Sequence, residues 1–77
     1  MQTFKELVKA KGLTQKDLAR YAGISERAIS YWNSGRNLPS LEEAFRVSLI
    51  LGVSLEKLAT IFIKQKSGGK ENEKEKS

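Results

Sequence analysis

The side chains able to do chemistry in this 77-residue chain are amines, guanidiniums, carboxylates, hydroxyls and amides, for it has neither His nor Cys. That removes imidazole and thiolate catalysis, disulfides and the common zinc ligand sets together. No Gly-rich phosphate loop and no obvious carboxylate pair takes their place, so no enzyme constellation is legible and no cofactor is implied. What remains is recognition. Fourteen Lys+Arg against nine Asp+Glu give a formal net charge of +5, a balance suited to a polyanionic partner such as nucleic acid. The informative stretch runs from Thr14 to Trp32, where Gln15, Lys16, Arg20, Glu26, Arg27, Ser30 and Tyr31 alternate with Leu18, Ala19, Ala22, Ile24 and Ile29.

The elements that must position those groups are helices. Apolar residues recur at steps of three and four, while the only Pro and four of the six Gly fall between such runs. Thr3-Phe4-Lys5-Glu6 has the form of a capping box. It opens a first helix burying Phe4, Leu7 and Val8 and stopping at Gly12. Thr14 caps a second helix carrying Leu18, Ala19 and Ala22, ended by Gly23. Ser25 caps a third with Ile29 and Trp32 inward, closed by Gly35. Ser40 opens a fourth through Leu41, Ala44, Val47 and Leu51, stopped by Gly52, and Ser54 caps a fifth with Leu55, Leu58, Ala59 and Phe62. The expected fold is all-α, a compact five-helix domain over residues 1–63. A chain of this size supports one domain.

From Lys64 to Ser77 there is no apolar residue, and five Lys against three Glu leave +2. Such a segment cannot offset the entropy of ordering, so residues 64–77 are expected to form a solvated, disordered tail. A weak phosphate-binding arm is the alternative, opposed by the interleaved glutamates. No apolar run approaches the roughly 18 residues of a membrane span, and no leader-like stretch follows Met1.

Between Thr14 and Trp32 the reading places a short helix, a Gly-containing turn and a second short helix in succession, which is helix-turn-helix spacing. Ala19 is small enough for the next helix to cross closely. Gly23 permits a positive φ in the turn, and Ile24 and Ile29 fill the angle between the helices. With Gly12-Leu13-Thr14-Gln15, Leu18-Ala19, Ala22-Gly23-Ile24-Ser25, Ile29-Ser30, Trp32, Gly35, Pro39 and Leu51-Gly52-Val53-Ser54, the chain resembles the lambda-repressor-like (Cro/cI, or XRE) helix-turn-helix proteins from Phe4 to about Leu58.

The resemblance implies a DNA-binding transcriptional regulator, expected to be a repressor. It would set the third helix, about 26–34, in the major groove, usually as a homodimer on a palindromic operator. It implies a bacterial, phage or mobile-element protein acting on DNA in the cytoplasm. Residue by residue it assigns Gln15 to a DNA phosphate, where the free N–H groups of a helix start also favour an anion. Glu26, Arg27, Ser30 and Tyr31 are expected at base edges, opposite Ile29 and Trp32. Arg27 suits the two acceptors of guanine. Glu26 either accepts from a cytosine amine or orients Arg27. Ser30 reaches a base or a phosphate, and Tyr31 a thymine methyl or a phosphate. Arg36, Asn37, Lys16 and Arg20 are phosphate candidates.

Two positions depart from the family pattern. Members often carry an acidic residue where Asn33 stands and a basic one where Val8 stands, joined as an ion pair under the recognition helix. Loss of both partners together leaves no stranded charge, so the fold expectation stands, with the third helix held less firmly. Phe45 and Leu49 on the fourth helix and Ile61 and Ile63 on the fifth exceed the needs of the core and are expected to form a dimer face. The competing reading is an antitoxin-like or adaptor module whose main partner is another protein.

Overall fold

Each helix begins where a hydroxyl side chain takes up a free N–H of the first turn. The computed structural model describes residues 2–66 and contains α1 (Phe4–Ala10), α2 (Gln15–Ala22), α3 (Glu26–Ser34), α4 (Leu41–Leu51) and α5 (Leu55–Lys66). Thr3, Thr14, Ser25, Ser40 and Ser54 accept from the N–H groups of Glu6, Asp17, Ala28, Glu43 and Lys57 at 3.0–3.1 Å. Glu6, Asp17 and Glu43 also accept the cap residue's own N–H, closing three capping boxes. Caps of this kind contribute about 1 kcal/mol each. The described residues are all-helical, as the apolar periodicity predicts.

The core is centred on three aromatic rings from three helices. Phe4 of α1, Trp32 of α3 and Phe62 of α5 lie with centroids 4.7–6.1 Å apart, Trp32 edge-on to both phenyl rings. Leu18, Ile29, Val47 and Leu58 complete the buried interior. Because α5 packs against α1, α3 and α4, it must bury a wide arc rather than a narrow stripe.

The packing corrects three sequence expectations. Ile61 is 6% exposed and belongs to the core, so it is not part of a dimer face. Leu41, expected inside, is 76% exposed because it lies in the first turn of α4, beyond the helices that cover Val47 and Leu51. Helix α5 also continues through Lys64–Lys66, three residues past the expected start of the tail. The reason is Gln65. Its Oε1 accepts the Phe4 N–H at 2.6 Å, and its Nε2 donates to the Trp32 carbonyl at 2.9 Å. One amide thus takes up the free Phe4 N–H at the start of α1 and adds a second donor to the Trp32 carbonyl at the end of α3, which already accepts from the Gly35 N–H. The remainder of the expected tail, 67–77, lies outside the described residues.

Two glycines are dictated by geometry. Gly23 ends α2 at φ 69°, ψ 36°, a left-handed conformation that costs a side-chain-bearing residue about 1 kcal/mol or more. Gly35 ends α3 at φ 80°, and a Cβ there would lie 2.9 Å from the Gln65 carbonyl oxygen. Close approach of α5 to the end of α3 therefore requires both the conformation and the missing side chain.

Candidate nucleic-acid interface

The outer face of α3 follows from what its inner face buries. Ile29 and Trp32 are 1% and 3% exposed, which turns Glu26, Arg27 and Ser30 to solvent on the other side. No side chain of these three has a hydrogen-bond or charged partner among the described residues. Tyr31 is half-buried, and the Arg36 guanidinium lies 4.9 Å from its ring centroid, a cation–π contact. The backbone N–H groups of Arg36 and Asn37 donate to the Tyr31 carbonyl at 2.9 and 3.4 Å. The loop after α3 is thereby folded back on the helix end, with both side chains exposed.

Helix α2 flanks this face. The turn between them is closed by the Ile24 N–H donating to the Ala19 carbonyl at 3.0 Å. From α4, Arg46 Nη1 donates to the Ala22 carbonyl at 2.7 Å, capping the end of α2. Lys16 and Arg20 line a shallow cleft with Ala19, Ile24 and Glu26, so the phosphate candidates of α2 stand beside the first turn of α3. Arg20 is not wholly free: its Nη2 lies 3.5 Å from Asp17 Oδ1, and its guanidinium is 5.8 Å from the Tyr21 ring. The hydrogen bonds from the Thr14 backbone and side chain, with Arg20 adding attraction, hold the Asp17 carboxyl below its ordinary value of 3.8. It is therefore ionised at neutral pH.

Gln15, the first residue of α2, reaches across to α3. Its Nε2 donates to the Glu26 carbonyl at 3.3 Å and its Oε1 accepts from Asn33 Nδ2 at 3.2 Å. The missing ion pair is thus replaced by a tether of neutral amides, joined at the helix end by the Gln65 bond to Trp32. The third helix thus has hydrogen-bonded tethers at both ends where the ion pair is absent. Sequence reasoning overlooked Asn33 and Gln65 as contributors because an amide in a polar stretch carries no periodic signal.

The apolar candidates separate. Phe45 and Leu49 are 50% and 65% exposed and, with Leu41, form a stripe at four-residue steps along α4. Ile63, 57% exposed, lines an apolar groove with Leu38, Leu41, Leu55, Ala59 and Phe62, between the start of α4 and α5. Ile61 faces the interior. Among the described residues there is no group of three or more His, Cys, Asp or Glu that could hold a metal. None of the described helices is long and apolar enough to cross a membrane.

Comparison with known proteins agrees with this geometry. The sequence matches the Helix-turn-helix family over residues 4–58, from the first residue of α1 into α5. It is 33% identical over 57 residues, 74% of this chain, to the HTH-type transcriptional activator BcrR of Enterococcus faecalis, of whose length it spans only 28%. It is 39% identical over 62 residues to an HTH-type transcriptional regulator of Methanothermobacter thermautotrophicus, covering 80% of this chain and 87% of that protein. A further regulator, from Methanocaldococcus jannaschii, is 41% identical over 44 residues, covering 57% of this chain and 67% of that one. No solved structure matches. With its five capped helices, the left-handed Gly23 between α2 and α3 and the family match across most of its length, the chain belongs to the lambda-repressor-like (XRE) helix-turn-helix family of DNA-binding transcription regulators.

Proposed function

We propose that this regulator reads DNA by sequence, laying α3 in the major groove of a palindromic operator as a homodimer, and represses by occupying that operator. The observation that carries the reading is the outer face of α3. Glu26, Arg27 and Ser30 are exposed there, their side chains without partners among the described residues, on a helix narrow enough to enter the groove. Arg27 presents two parallel donors to guanine O6 and N7. Glu26 accepts from a cytosine amine or steers Arg27, while Ser30 and Tyr31 complete the contact to bases or the adjoining backbone. Gln15, Lys16 and Arg20 on one flank and Arg36 and Asn37 on the other take the phosphates that fix register. Phe45, Leu49 and Ile63 supply the apolar contact between protomers, with Leu41 extending the stripe.

Selection from a random duplex pool at about 150 mM salt, where sequence-independent binding is weak, tests the reading directly. The expected result is a palindrome with half-sites about 10 bp apart, and lowered output from a promoter fused to it. A single unrepeated half-site would remove the dimer, and raised promoter output would align the chain with its enterococcal relative, which is named an activator.

The exposed stripe on α4 and the groove beside Ile63 favour one second reading, an adaptor whose main partner is a protein. Salt dependence separates the two. Six phosphate contacts would give log affinity a slope of about −5 against log salt, whereas an apolar interface responds little.

A further inference from the structure

We infer that Asn33 is a positioning residue for DNA binding: together with the Glu26 carbonyl it fixes which way the Gln15 amide faces, so that Gln15 presents an N–H rather than a carbonyl oxygen to the phosphate. The inference rests on the reading of Gln15 as a phosphate contact and adds the device that orients it.

The argument is one of donors and acceptors. The Glu26 carbonyl can only accept, so Gln15 must turn its NH2 toward it, and does so at 3.3 Å. That leaves Gln15 Oε1 facing α3, where it needs a donor. Asn33 provides one from Nδ2 at 3.2 Å. Asn33 then has its own oxygen on the far side, where Oδ1 is buried with no hydrogen-bond partner among the described residues. Turning the Asn33 amide over would place oxygen against oxygen at Gln15. The orphaned Oδ1 is therefore the consequence of holding Gln15 in one sense. The second N–H of Gln15 Nε2 has no partner among the described residues, and it belongs to a residue in the first turn of α2, where Thr14 takes up the Asp17 N–H and leaves those of Gln15 and Lys16 for an anion. Amide and helix start thus offer donors to the same anion.

Asn33→Asp tests this because it exchanges the donor for a second acceptor with little change of shape. Opposite a carboxylate, Gln15 gains by turning its NH2 toward residue 33, which carries its donors away from the phosphate and sets Oε1 against the Glu26 carbonyl. The measurement is affinity for the most enriched duplex of the selection, by fluorescence anisotropy, in a cycle with Gln15→Ala. In the parent background Asn33→Asp is expected to weaken binding about 10-fold, the scale of one charge-assisted hydrogen bond. In the Gln15→Ala background, where there is no amide to turn, it should have little effect. An equal loss in both backgrounds would overturn the inference, because that is what general repulsion of DNA by an added carboxylate, or a loosened α3, would produce.

Asn33→Leu provides a second cycle should the aspartate variant fail to fold. Leucine there would adjoin Phe4, Val8, Leu13 and Ile29, which line the same pocket as Asn33. Its smaller loss of affinity should also vanish with Gln15→Ala, and persistence would count against the positioning role. If Gln15→Ala alone leaves affinity unchanged, the phosphate contact itself is refuted and the inference falls with it. If the parent binds no duplex, it is the DNA-reading proposal that fails.

Discussion

Arg27 shows how a single side chain on this scaffold divides into structure and function. It is exposed and contributes nothing to the core, so Arg27→Ala should leave thermal stability within about 0.5 kcal/mol of the parent. Binding should suffer instead. A guanidinium bidentate to guanine discriminates by about 1–3 kcal/mol, so loss of Arg27 should relax preference at one base pair of each half-site. Binding to operators substituted one position at a time checks this; a loss spread evenly over all positions would make Arg27 a phosphate contact. Asn33 shows the opposite arrangement. An unsatisfied buried oxygen costs roughly 1–3 kcal/mol, a price in stability that the fold accepts while Asn33 keeps its bond to Gln15.

At the level of the element, the start of α2 is both a cap and part of the proposed binding face. Asp17 accepts the Thr14 N–H, and its carboxyl is held below 3.8 chiefly by Thr14. A carboxyl whose folded value lies below its unfolded one stabilises the fold above the unfolded value, and that contribution is lost as pH falls through the folded value. Thermal melts of the parent should therefore decline below about pH 4, with α2 contributing to the fall. Asp17→Asn should melt earlier at neutral pH and show a shallower acid decline. An acid limb identical to the parent's would mean that other carboxylates account for all of it. Helix α5 carries a different responsibility. Its last turn joins the end of α3 to the start of α1 through Gln65, so the placement of α3 draws on a residue 33 positions from Trp32 in the chain.

For the whole molecule, the apolar surface outside the core is the ground on which the proposed homodimer is tested. Phe45 is half-exposed and its neighbour one turn on, Leu49, more so. Phe45→Glu is therefore expected to leave folding intact while placing a charge on the proposed face between protomers. Burying about 400 Å² of apolar surface per face would contribute roughly 20 kcal/mol gross. Association entropy opposes much of that, consistent with micromolar dimerisation. Sedimentation should show the parent associating in that range and Phe45→Glu remaining monomeric. Unchanged association would sink this interface.

How much of this was legible in the sequence follows from the range of each interaction. Caps and left-handed glycines act over three or four residues, so Thr3, Thr14, Ser25, Ser40 and Ser54 marked the helix starts, and Gly23, Gly35 and Gly52 the ends of α2, α3 and α4. Amphipathic phase likewise placed Ile29 and Trp32 inside and Glu26 and Arg27 outside, because one helix face must be apolar wherever it packs. Phase alone did not show how many neighbours each helix would have. Leu41 and Ile61 exchanged roles for that reason: α4 overhangs its partners at its start, whereas α5 is enclosed by three helices. The amides are the furthest from sequence logic. Gln15, Asn33 and Gln65 act across 11 to 61 residues, and an amide declares neither donor nor acceptor until its partners are in place. Local chemistry determined the helices and the outward polar face of α3; only tertiary packing decided what holds that face in position, since hydrogen bonds between distant residues exist only once the chain has brought them together.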